Sequence, residues 1–326
     1  AALAAARRER LAWLPALVLL LDLALLARAF NPFPPERPPY PRTEAIVLLE
    51  ERPGRFVPFS ELPRLVPAPA GAIHGLRCAI GMLPMVPRRT AELLERVEGP
   101  LFDRRDPRVA EGITRVESLS HPILDLLGVR TVLIDDPTLV ERSGLPVAFA
   151  RPEEGLGGLD RPGALPRAFL LGGAEVVPDA AERLARLGDR TFDPRAAALL
   201  ESAPSVALPE RGPFATPVEA EHAVSRHALE FDAPHAGVAV LAESWDPGWS
   251  ATVDGAAAEV LVVDHALCGV ALPAGRHVVE FSYRAPGAAA ARWAAIAALL
   301  ALLLLAAPVA ASRPGLLRSR GEPEPS

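Results

Sequence analysis

The residues suited to chemistry are spread thinly along this chain. Trp245-Asp246-Pro247-Gly248-Trp249 sets two indoles on either side of a turn. Indole faces stack on sugar rings and Asp246 can accept a hydroxyl hydrogen bond, so Trp245 and Asp246 are candidate glycan-binding residues. The same indoles could instead plug the end of a β-sandwich while Asp-Pro-Gly makes the turn. Arg88-Arg89 is a second candidate, because paired guanidinium groups clamp phosphate or a polyanionic acceptor bidentately. Asp103-Arg104-Arg105-Asp106 is a similar cluster, and both also read as solvated faces or structural salt bridges. Asp22 falls inside an apolar run and is the candidate intramembrane polar contact, or else a boundary carboxyl that snorkels or stays protonated. The seven histidines show no metal spacing. His222 and His227 fall in one expected strand, on opposite faces, where they cannot chelate together. No Gly-x-Ser-x-Gly, phosphate-binding glycine loop or His-Glu-x-x-His occurs, so no catalytic residue, metal or cofactor is assigned within the chain. Cys78 and Cys268 lie in different expected domains and either pair or stay as two buried thiols.

Composition bounds what these residues can serve. The 326 residues are 50% hydrophobic, with mean hydropathy +0.21, which is too apolar for disorder and high for a purely soluble protein. The basic residues are all arginine, and 34 of them against 40 acidic residues give a net charge of −6. That balance excludes a nucleic-acid binder held by bulk charge. The apolar excess sits at the two ends. Residues 11–30 and residues 294–311, extended back to 288, read as two transmembrane helices, since about 20 apolar residues cross a bilayer. Arg7, Arg8 and Arg10 precede the first and Arg313, Arg318 and Arg320 follow the second, which places both termini in the cytoplasm and residues 31–288 outside a bacterial cell (inner) membrane. The first apolar run is long and no small-x-small site precedes Asn31, which favours an anchor over a cleaved signal peptide. The opening AALAAARRER reads as a loop between helices, as in the C-terminal piece of a larger polytopic protein.

The elements between the ends divide in two. Residues 31–42 form a proline-rich linker with polyproline II character. Residues 43–204 read as an α/β domain: strands over 45–49 and 55–59, a helix capped by Thr90 with Leu93, Leu94 and Val97 on one face, a helix over 122–127 stopped by Gly128, and a strand over 129–134. Strands over 169–171 and 175–177 follow, then a helix over 179–187, and a segment through Leu200 that fits either type. From Val218 apolar residues alternate in short runs, at 218–231, 237–244, 249–253, 257–263, 267–272 and 277–283. With hairpin turns at Asp254-Gly255 and Pro273-Ala274-Gly275, residues 205–287 read as a C-terminal antiparallel β-sandwich. The expected fold class is therefore two transmembrane helices flanking an extracytoplasmic α/β domain and that sandwich.

Several of these stretches, in order, resemble the C-terminal portion of the YfhO-like bacterial membrane proteins. They are Asp22-Leu23 with Asn31-Pro32, His74-Gly75-Leu76-Arg77 with Pro87-Arg88-Arg89, Asp125-Leu126-Leu127-Gly128-Val129-Arg130, Leu165-Pro166-Arg167-Ala168-Phe169, Trp245 to Trp249 with Thr252-Val253-Asp254-Gly255, and Leu272 to His277 leading to Phe281-Ser282-Tyr283-Arg284. The resemblance implies a GT-C-related glycosyltransferase that takes sugar from a polyprenyl-phosphate donor to modify an envelope glycopolymer. Its acidic catalytic residues, and any divalent metal, belong to a many-helix half that precedes this part. This part would then position acceptor or brace the catalytic half. The alternative is a non-catalytic glycan-binding or envelope-assembly module. After Arg77 the chain reads Cys78-Ala-Ile-Gly-Met, where the family tends toward Arg-Gly-Tyr-Asp, which puts any acceptor contact there in doubt.

Overall fold

A computed structural model describes residues 40–59, 71, 73–79, 86–99, 113–136 and 138–311, with isolated positions at 18, 19, 21–23, 25 and 66; in the last helix, side chains are described through residue 301. The expected proline-rich linker, the Asp103 to Asp106 cluster and the arginine flanks at both ends fall outside these residues, Tyr40, Pro41 and Arg42 excepted.

The described chain is mostly β. Helix α1 (Glu44–Glu50) leads to β1 (Arg55–Phe59), α2 (Arg88–Glu98), α3 (Pro122–Leu126), β2 (Val129–Ile134), α4 (Leu139–Ser143), β3 (Val147–Arg151) and β4 (Leu156–Asp160). Next come β5 (Ala168–Leu171), β6 (Ala174–Val176), α5 (Ala180–Leu187), β7 (Ala198–Leu200), β8 (Phe214–Ala215), β9 (Glu219–His222) and β10 (Arg226–Ala233). The chain continues through β11 (Gly237–Ser244), β12 (Trp249–Val253), β13 (Ala256–Ala258), β14 (Leu261–Val263), β15 (Leu267–Leu272), β16 (Gly275–Tyr283) and α6 (Ala288–Ala311). These strands form three sheets, ordered β1-β2-β4-β3, β13-β12-β16-β10-β9 and β6-β7-β14-β15-β11-β5-β8.

The expected fold class is corrected by this architecture. Among the described residues no helix is long and apolar enough to cross a membrane. Of residues 11–30, positions 18, 19, 21–23 and 25 are described. The α/β region and the sandwich are not separate layers either. The seven-stranded sheet takes β5 to β8 from before residue 216 and β11, β14 and β15 from after it, with Val238 to Leu241 of β11 paired to Leu171 to Ala168 of β5.

Local differences have physical reasons. Residues 45–49 form α1 instead of a strand, because a short apolar run carries no period of its own and this one buries Ala45, Ile46, Leu48 and Leu49 at helical spacing. Helix α2 starts after Pro87, so Thr90 is a buried first-turn residue, its Oγ1 2.8 Å from Ser244 Oγ, and not a cap. Residues 218–231 are not one strand. The chain reverses between β9 and β10, and His227 lies opposite His222 with their Nδ1 atoms 3.0 Å apart. Helix α5 follows the reading closely: Asp179 caps it by accepting from the Glu182 N–H at 2.7 Å.

The largest core cluster joins Leu93, Leu94 and Val97 of α2, Ile123 and Leu124 of α3, and Phe169, Leu171, Val238 and Val240 of the seven-stranded sheet. A second cluster fills the space between that sheet and the five-stranded one, around Phe231, Leu241, Val279 and Phe281. Cys78 and Cys268 are thiols and form no disulfide with each other. Cys268 is fully buried on β15 and its thiol is pushed up by burial, while Cys78 is partly exposed. A chromogenic disulfide reagent should therefore titrate one thiol in the native protein and both in denaturant. Two fast equivalents in the native state would contradict the burial of Cys268.

Candidate functional site

Three segments distant in sequence meet at one cleft. Helix α2 supplies Arg88, Arg89, Glu92 and Arg96 on the face opposite its buried stripe. Helix α5 supplies Arg183, and the chain after β7 supplies Glu201. The third wall is the stretch after β11, Trp245-Asp246-Pro247, with His265 from the β14–β15 turn. The cleft measures about 680 Å³, inside the roughly 300–1,000 Å³ range of small-ligand pockets.

The β14–β15 turn is left-handed. Asp264 and His265 stand at φ of 46° and 71°, a conformation that Asp and His adopt more readily than most side chains. Two anchors hold it there. Asp264 accepts from the Leu199 N–H at 2.8 Å, and the Trp245 N–H donates to the Ala266 carbonyl at 2.7 Å. The second bond fixes Trp245 to the turn that carries His265.

The side chains form one connected network. Arg89 grips Glu201 with both terminal nitrogens, donates to the His265 carbonyl at 3.0 Å, and lies 5.1 Å over the Trp245 ring. Arg183, 1% exposed, meets the same Glu201 and the carbonyls of Val177 and Pro178. His265 is 2.7 Å from Glu92 through Nε2 and 3.4 Å from Arg183 through Nδ1. Burial lowers the His265 pKa, which keeps the ring neutral. Neutral His265 donates to Glu92 and accepts from Arg183, so both nitrogens are committed and neither is free as a general base. Burial works to raise the Glu92 pKa, but hydrogen bonds from Arg88, at 2.7 Å, and from His265 outweigh it and hold the carboxylate ionised. Asp246 accepts from the Gly248 N–H at 2.8 Å, closing the turn before Trp249.

The structure thus brings Arg88, Arg89, Trp245 and Asp246 together. Asp22 is exposed on an N-terminal helical stretch and is not among the residues lining the cleft. Glu92, Arg183, Glu201 and His265 were not anticipated as site residues. The Asp264-His265 pair between two apolar runs was a hairpin signal, hidden because it contains no glycine. Among the described residues no group of three or more His, Cys, Asp and Glu could hold a metal.

Comparison of the chain with protein-family models, curated proteins and solved structures gives no match. The YfhO-like resemblance therefore rests on the sequence motifs alone. Two of its stretches, Pro87-Arg88-Arg89 and Trp245-Asp246-Pro247, form facing walls of this cleft.

Proposed function

We propose that the protein binds a glycan in the cleft between α2 and the Trp245 turn, as a recognition module whose cleft carries no bond-making group of its own. The observation that carries this reading is the Trp245 indole held in a cleft of saccharide dimensions beside arginine–carboxylate pairs. Aromatic faces take the apolar faces of sugar rings, while fixed carboxylates and guanidinium groups bond ring hydroxyls. Commitment of both His265 nitrogens and pairing of Glu92 and Glu201 with arginines favour binding over turnover. A glycan ligand also agrees with the YfhO-like resemblance, under which the cleft would position an envelope glycopolymer acceptor for a glycosyltransferase using a polyprenyl-phosphate sugar.

Tryptophan fluorescence titrated with neutral and acidic oligosaccharides tests the reading. At least one oligosaccharide should give a saturable change that Trp245→Ala abolishes while the circular-dichroism melt stays cooperative. No saturable change with any of them, or one that survives Trp245→Ala, would sink it.

A further inference from the structure

A second cleft, of about 660 Å³, opens between the loop that follows α1 and the loop joining β4 to β5. Five arginines line it: Arg52, Arg55, Arg77, Arg130 and Arg167. The neighbouring carboxylates do not balance them. Asp160 is shared by Arg52 at 2.8 Å and Arg130 at 3.0 Å, and Glu243 is shared by Arg55 at 2.9 Å and Arg167 at 2.7 Å. Each trio keeps one positive charge. Arg77 adds another: its carbonyl accepts from the Phe56 N–H at 2.9 Å, and its guanidinium feels the Glu243 charge from a distance, with Glu243 already bonded to Arg55 and Arg167. Glu51, exposed at the rim, is the remaining acid of the lining. Five arginines thus face three carboxylates.

The guanidinium groups of this cleft act against one another. Burial and then the Arg167 charge pull the Arg77 pKa down against the Glu243 charge, and on Arg55 burial, Arg167 and Arg77 together outweigh Glu243. Arg52 buries an Nε that finds no partner. Guanidinium groups this crowded are stabilised by an anion that accepts several N–H bonds at once, and their forks match the oxygens of a phosphoryl group. The excess of two charges equals that of a phosphate monoester. The volume exceeds what a bare phosphate fills, and Pro53, Leu165 and Pro166 offer an apolar wall to a small organic group.

We infer that this cleft binds a dianionic phosphate monoester, with Arg77 as the guanidinium that meets the phosphoryl oxygens and Arg55 and Arg167 beside it. Arg77, Arg130 and Arg167 come from three stretches far apart in sequence and converge here, and Arg77 is exposed.

Isothermal titration with phenyl phosphate, at ionic strength matched with sodium chloride, tests the inference. One equivalent should bind, phenol should not, and Arg77→Gln should weaken binding roughly tenfold or more, the effect of losing a charge-assisted contact. Replacing Arg226, an exposed arginine of β10 paired with Glu280, by glutamine should leave affinity unchanged. Absence of saturable heat, equal binding of phenol, or an equal loss in the Arg226 and Arg77 variants would overturn it. The probe carries no sugar, so its outcome is independent of the oligosaccharide titration.

Discussion

Replacing Asp264 by asparagine should raise the melting temperature at pH 8 and lower it at pH 4. Asp264 is fully buried, and its Oδ2 finds no partner. Burial pushes its pKa up to about 7, against the partial opposition of the Leu199 N–H bond and the Arg183 charge. In the unfolded chain the group returns to its ordinary value near 4. The folded protein therefore binds more protons between those values, and stability falls as pH rises through that window. A shift of about three units corresponds to roughly 4 kcal/mol, and some of the gain is offset because an asparagine N–H₂ is itself buried without a partner. A net stabilisation on the order of 2 kcal/mol at pH 8 is expected, and asparagine tolerates the left-handed backbone of the turn.

The histidines slope the other way. Burial lowers the pKa of His121, His222, His265 and His227, the last to about 4. They must fold uncharged, so the stability they allow is present above pH 6.5 and is lost as pH falls toward 4. Over that interval Asp264 offsets part of the loss in the native protein. In Asp264→Asn the acid limb should stand alone and be steeper. Thermal melts of both proteins at pH 4, 6 and 8 decide it, and an equal shift at every pH would show that the Asp264 charge is not the cause.

Trp249→Ala should destabilise the protein far more than Trp245→Ala. The Trp249 ring meets Phe281 edge-on at 6.5 Å and lies 5.2 Å from Tyr283 and 5.8 Å from His227, and its Nε1–H donates to the Ser244 carbonyl at 3.1 Å. Phe281 is wholly buried, so removal of the indole opens a void against the second core cluster. Such truncations cost about 3–5 kcal/mol, and partial exposure of Trp249 puts it near the lower figure. Trp245 also touches that cluster, but it faces the cleft and stacks under Arg89, a contact of about 1 kcal/mol. Urea denaturation of the two variants checks the order. Equal, large losses would make Trp245 a core plug and remove the glycan platform with it.

What the sequence disclosed follows from range. Strands β11, β12, β15 and β16 were legible because alternation and the Asp254-Gly255 turn, at φ of 51° and 80°, act over a few residues. The α5 boundaries followed from Asp179 and Gly188. Pairing of β5 with β11 could not be read, since it joins positions about seventy residues apart through backbone groups that every residue has. The reversal between His222 and His227 was missed because Ala223-Val224-Ser225 contains none of Gly, Pro, Asn or Asp. Four candidate residues share a cleft for the same long-range reason, and their arginine–carboxylate partners on α5 and after β7 carried no local mark.

The seven-stranded sheet also dictates an order of events during synthesis. When residue 200 has been made, β5, β6 and β7 exist as sequence, yet only β6 and β7 can pair, through the parallel register from Ala174↔Ala198. The inner edge of β5 waits for residues 238–241, and β7 waits for Val263 opposite Leu200. A nascent chain therefore leaves apolar strand edges open over dozens of residues of elongation, the circumstance in which edges recruit the wrong partner. The last arrivals, β14 and β15, link the two halves of this sheet, so it closes in one late step and not from its N-terminal end onward.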